Sequence, residues 1–288
     1  MSGSDTAGVS ADQNVASVRA ARAGARARRI TAGRALNVLL PIIALIALLA
    51  LWQAAVVYWH VSSFVFPRVD TTLASLRDHW PDIWANLLVT LGQAGIGFIA
   101  GNLFAVAGAT LFVYSPLAER AFFPLAVVIQ TIPIIVWSPI LVIAIPDNWW
   151  PEQWWPQIVI AVLISFFPAL VNMTRGLRAV DPLALELFHV LHASRWQVYR
   201  KLRWPSALPA LFTSLRITST LSLIGAVVGE YVAGSGGGSG YQLQLAKSSI
   251  DTPQVVAITL VVSATGVVVF LAVAGIERLA LSRRGQGA

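Results

Sequence analysis

The stretch Leu185–Pro209, LELFHVLHASRWQVYRKLRWPSALP, decides how this chain is read. It is polar, basic and helix-forming, and apolar runs flank it on both sides. Just before it, Asp181 is placed to cap a helix and Pro182 suits a first turn. Glu186 falls on the exposed side of that helix, a turn is expected at His192–Ala193, and Ser194 can cap a second helix. Leu202-Arg203-Trp204-Pro205 is expected to close the segment. On the second helix Trp196, Val198, Tyr199 and Leu202 offer apolar contacts, ringed by Arg195, Arg200, Lys201 and Arg203. An apolar knob with a basic rim suits a groove on a soluble partner; it also suits a helix lying on anionic lipid.

Everything around this island is membrane-like. The chain is 57% hydrophobic and 11% charged, against about 25% charged residues in soluble domains. It has no cysteine, which removes disulfide and thiol chemistry. About 20 apolar residues cross a bilayer, and six candidate spans satisfy this: Ala35–Tyr58, Ile83–Val113, Phe122–Ile145, Gln157–Met173, Pro209–Val232 and Val255–Ile276. On that map 17 of the 20 basic residues fall on one side, leaving Arg68, Arg77 and Lys247 on the other. The positive-inside rule places both termini and the Leu185–Pro209 loop in the cytoplasm. The net charge of +7 therefore reads as topology, and no nucleic-acid partner is expected.

Residues 1–34 are rich in Ala, Ser, Gly and Arg without apolar periodicity. They read as a disordered basic cytoplasmic tail, with anionic lipid as the alternative use of its arginines. Residues 35–284 form the membrane domain, 175–209 its cytoplasmic loop, and 285–288 a C-terminal tail. The outer loop Pro146–Pro156 holds four of the eleven tryptophans, either as an interfacial aromatic belt or as a docking surface for a soluble protein. Gly234–Gly240 reads as a flexible loop: no Lys-Ser/Thr follows it and no strand precedes it, so it is not a phosphate cradle. Gly97/Gly101 and Gly225/Gly229 have the spacing that lets membrane helices pack closely. Pro124, Pro133, Pro139 and Pro168 lie inside apparent spans, where each favours a kink.

No nucleotide-binding loop, HExxH, Cys/His cluster or G-x-S-x-G is present, so neither a metal site nor an intrinsic enzyme is expected. Polar residues inside the spans are the candidates for a solute path: Gln93, Asn102, Gln130, Thr131, Asn172 and Glu230. Helix-to-helix hydrogen bonding is the alternative role for the first five, and an interfacial position at the outer headgroups for Glu230.

The island resembles the cytoplasmic coupling loop of permeases of binding-protein-dependent ABC importers. Their pattern is Glu-Ala-Ala, three residues, Gly, nine residues, Ile, one residue, Leu-Pro. Glu186, Leu202 and Pro205 match it. Leu187 and Phe188 stand for the alanines, His192 for the Gly and Trp204 for the Leu. A non-Gly residue at positive φ is uncommon, although His tolerates it better than most. From Phe66 to Arg284 the chain is similar to the nitrate/sulfonate/taurine-type group, through Gln130-Thr131-Ile132-Pro133, Phe166-Phe167-Pro168, Gly176-Leu177-Arg178 and Val228-Gly229-Glu230. Locally it is nearest to permeases for thiamine precursors or riboflavin.

The resemblance implies an all-α, six-span, type I (MetI-like) permease in a bacterial-type plasma membrane. Glu186, His192, Ala193, Leu202 and Pro205 would then couple it to two cytoplasmic ATPase subunits, which bind the ATP and Mg; no cofactor is expected in this chain. A second permease copy and an extracytoplasmic binding protein would complete the assembly. The alternatives are a secondary transporter, for which inverted repeats or several buried charges are expected, and a membrane anchor or scaffold.

Overall fold

The computed structural model describes residues 39–40, 43–144, 154–234 and 236–282. The expected basic tail, the C-terminal tail and most of the Trp-rich outer loop lie outside these residues. The chain divides into two units, Met1–Ser62 and Ser63–Ala288. In the first, α1 covers Ile43–Tyr58. That is roughly 24 Å of helix, and the start of the expected first span lies outside the described residues.

All regular elements among the described residues of the second unit are helices. It contains α2 (Val69–Asp78), α3 (Trp80–Tyr114), α4 (Pro116–Thr131), α5 (Ile134–Ala144), α6 (Trp155–Arg178), α7 (Pro182–Val190), α8 (Arg195–Val198), α9 (Trp204–Ala233), α10 (Ser239–Ser248) and α11 (Thr252–Ser282). Four helices in this unit are long and apolar enough to cross a membrane: α3, α6, the run Arg195–Ala233 and α11.

The expected third span is two helices, α4 and α5, bent by 99°, so six unbroken spans are not found among the described residues. Pro133 accounts for the break. It has no N–H to continue the ladder and drives the preceding residue out of the helical region; Ile132 sits at φ −69°, ψ 125°. Pro124, Pro139 and Pro168 remain inside helices.

Three helices form the centre. Hydrogen bonds from Thr90 to Glu230 and from Asn102 to Thr218 set α3 antiparallel to α9. The α6 helix runs with α3 and against α9, and its Ala161 is pinched between Gly97 and Gly225. Both glycine pairs expected to permit close packing therefore face one helix, α6. A methyl group at Gly225 would stand 2.9 Å from Ala161 Cα, and one at Gly229 would stand 2.9 Å from Gln157 Cα. The main buried cluster is rich in small and medium side chains, including Ala105, Ala109, Leu170, Met173, Leu177 and Ala207, with Phe112 among them. Large apolar residues such as Ile99, Leu103 and Leu271 point outward instead. Small and polar groups inside with apolar groups outside is the arrangement suited to lipid, where close backbone approach drives helix association.

Candidate functional site

The loop between α6 and α9 is built by local rules. The Asp181 carboxylate accepts from Leu183 N at 3.0 Å, and Pro182 takes the first helical position, as their types dictate. At the other end of α7, His192 N donates to His189 O and Ala193 N to Phe188 O, both at 3.0 Å. That pair of bonds is the Schellman arrangement. Its left-handed position is held by His192 at φ 50°, with the imidazole Nδ1 3.0 Å from Val190 O. The turn that glycine makes in the family pattern is therefore made here by histidine. His192→Gly is expected to raise the thermal stability of the loop by relieving roughly 1 kcal/mol of strain. His192→Val should lower it, because a β-branched residue resists that conformation. Limited proteolysis of the loop, with melting of the purified chain, measures both.

Ser194 opens the next helix with a reciprocal capping box. Gln197 N donates to Ser194 Oγ at 3.2 Å, and Ser194 N donates to Gln197 Oε1 at 2.8 Å. The expected ending at Leu202–Pro205 is not an ending. The helix passes from α8 through a π-helical stretch, Tyr199–Arg203, straight into α9, making one continuous run from Arg195 to Ala233. Pro205 lacks the N–H that an α-helix needs at that place. The wider i→i+5 turn of the π segment lets the chain pass without stopping.

The four apolar residues of the second helix do not form one outward knob. Trp196 is exposed, but Val198, Tyr199 and Leu202 are half-buried. The Tyr199 hydroxyl meets Thr110 Oγ1 at 3.0 Å, Tyr114 donates to Arg195 O at 3.0 Å, and Arg203 Nη1 donates to Leu177 O at 3.0 Å. These contacts tie the loop to α3 and α6. Beside them, Arg178 and Glu119 form a two-pronged ion pair at 2.8 and 2.6 Å joining α6 to α4. The exposed apolar surface belongs to α7 and its end: Leu183, Leu187, Val190 and Leu191 are each more than half exposed. Their i, i+4, i+7, i+8 spacing was the available signal. Glu186 lies exposed on the same helix.

The path candidates do not share one site. Gln93 is fully buried on α3. Asn102 donates to Thr218 Oγ1 at 3.0 Å across the α3–α9 seam. Asn172 is half-buried on α6. Gln130 and Thr131 stand exposed at the α4–α5 break, where they line a cavity of about 260 Å³ with Trp137 and Leu163. Glu230 is fully buried. Its carboxylate accepts from Thr90 Oγ1 at 3.0 Å and from Gly240 N at 2.7 Å. Thr90 and Thr218 carry no sequence mark of this role, because threonines inside apolar helices are common and only the register of α3 on α9 selects these two.

Residues 93–281 match the family described as the binding-protein-dependent transport system inner membrane component. The chain is 33% identical over 201 residues to the formylaminopyrimidine transport permease protein ThiX of Halalkalibacterium halodurans, covering 70% of this chain and 78% of that protein. It is 29% identical to the riboflavin transport system permease protein RibX of Chloroflexus aurantiacus, over 73% of this chain and 77% of that one. Among solved structures, a chain of an amino acid ABC transporter crystallised with histidines superposes with a TM-score of 0.56 at 20% identity, covering 73% of this chain and 97% of that one. That likeness bears on the fold, which is the all-helical type I importer permease fold. The chain belongs to the binding-protein-dependent transport system inner membrane component family, and is a multi-pass membrane permease subunit of an ABC importer for a small solute.

Proposed function

We propose that this permease works as a pair with a second copy, driven by two cytoplasmic ATPase subunits that bind ATP and Mg and supplied by an extracytoplasmic binding protein. The observation that carries this reading is the loop from α7 to α9, an exposed apolar and acidic helix, a rigid turn, and an unbroken helix into the bundle. Glu186, His192, Ala193, Leu202 and Pro205 are assigned to coupling. Of these, Glu186 meets the ATPase, His192 and Ala193 set the turn, and Leu202 and Pro205 lie where the segment becomes α9. Gln130 and Thr131 are the path residues with an accessible polar face. Both termini lie in the cytoplasm by the charge bias. The cargo class is that of the formylaminopyrimidine and riboflavin relatives, small heterocycles.

Purification of the chain from its native membrane in mild detergent tests the assembly. The expected result is co-purification of an ATPase whose hydrolysis rises when a ligand-loaded binding protein is added. Recovery of the chain alone, stable and without hydrolysis, would overturn the ATP-driven reading.

A further inference from the structure

The stretch Gly234–Gly240 is not simply a flexible loop. Gly238, Ser239 and Gly240 are buried, and they open α10. A helix start leaves its first N–H groups without partners, and glycine at the cap position offers no side chain to meet them. Here residues from two other helices meet them. Gly238 N donates to Asn86 Oδ1 at 2.9 Å, Ser239 N to Thr90 Oγ1 at 2.8 Å, and Gly240 N to Glu230 Oε2 at 2.7 Å. Thr90 closes the set by donating to Glu230. A carboxylate at a helix N-terminus is favoured by the helix dipole. The glycines are required by closeness: a Cβ at 238 would collide with the Glu230 carboxylate, and one at 240 with Val227 O. At its other end α10 is packed into a cluster of Ile83, Ala246, Ala257 and Ile258, from α3, α10 and α11.

Glu230 lies near the far end of the same continuous helix that begins at Arg195 in the coupling loop. The two are about 50 Å apart at 1.5 Å per residue. A buried carboxylate within a membrane helix is costly and calls for a role. We infer that Glu230 is a positioning residue, not a solute ligand: with Thr90 and Asn86 it clasps the start of α10, so that displacement of the Arg195–Ala233 helix at the coupling loop is delivered to α10 at the opposite end. The inference rests on the ATP-driven reading above.

The absence of cysteine from the chain allows single nitroxide labels. Leu245→Cys is exposed on α10, and Thr213→Cys is exposed on α9. In the detergent-solubilised complex with its ATPase, both labels are expected to change mobility on trapping with ATP and vanadate. In Glu230→Ala the label at 213 should still respond while that at 245 loses its response, and basal hydrolysis should stay within about twofold. Glu230→Gln keeps an acceptor for Gly240 N and should restore the response at 245. General unfolding would silence both positions and would not be rescued in this selective way. If Glu230→Ala does not assemble, Asn86→Ala removes one of the three caps and should reduce the 245 response alone. An undiminished response at 245 in Glu230→Ala, or in Asn86→Ala where that variant is used, overturns the inference. So does a response at 213 without one at 245 in the otherwise unaltered chain. Silence at both positions there, with hydrolysis intact, would count instead against the ATP-driven reading.

Discussion

Glu186→Arg is expected to lower transport by the assembled importer at least tenfold while leaving the amount of chain in the membrane unchanged. Among the described residues the Glu186 side chain makes no hydrogen bond or ion pair, and it is exposed on α7 between Leu183 and Val190. Its replacement breaks no side-chain hydrogen bond or ion pair, so the stability change should stay within about 0.5 kcal/mol, as for other surface positions. The effect would then arise at the surface proposed to meet the ATPase. Tenfold corresponds to about 1.4 kcal/mol, less than the 2–5 kcal/mol or so usually lost when one member of a buried interfacial charge pair is removed. Transport and ATP hydrolysis measured together in proteoliposomes check it. Unchanged coupling would remove Glu186 from the contact surface.

Gly97→Ala is expected to destabilise the purified chain by about 1–3 kcal/mol, the usual cost of overpacking, whereas Gly95→Ala, two residues away, should be neutral or slightly stabilising. At 97 the new methyl would collide with Ala161 Cβ and press on the α6 backbone; at 95 nothing lies within 4 Å. Ala161 has little room to retreat, because α9 packs on its other side, where a methyl group at Gly225 would stand 2.9 Å from Ala161 Cα. In an open helical position alanine is preferred to glycine by roughly 0.5–1 kcal/mol. The two variants thus share chemistry and differ only in which face of α3 they occupy. Thermal melting in detergent separates them. Equal melting temperatures would mean that α3 does not pack on α6 at this register.

Capping and the place of the turn were legible in the sequence, whereas the missing glycine left the form of the turn open. Asp181, Pro182 and Ser194 sit where their types place them, because each satisfies backbone groups within its own few residues. His192 shows the same economy with an unexpected residue, since the turn needs only a tolerated positive φ and two local hydrogen bonds. Membrane class and most span positions followed from apolar run length, which is also a local property. The third span was legible as an apolar run with a kink-favouring proline, but the size of its break was not, because neither run length nor Pro133 by itself sets a 99° bend. The ending expected at Pro205 failed because a π-helical turn can absorb a missing N–H, an alternative that the proline itself does not reveal.

The clasp at α10 was hidden for a different reason. The bonds that join Asn86, Thr90 and Glu230 to the start of α10 link residues as much as 152 positions apart, and no local rule joins them. Composition and apolar run length were enough to determine the membrane class, and the Leu185–Pro209 stretch carried the resemblance to importer permeases, because hydrophobicity and capping act over one or two helical turns. Which face of α3 meets α6, which glycines are indispensable, and that a Gly-rich stretch is a buried helix start held by Glu230 were decided only by tertiary structure. Those properties depend on the mutual register of antiparallel helices, set by the sum of many close contacts along their whole length.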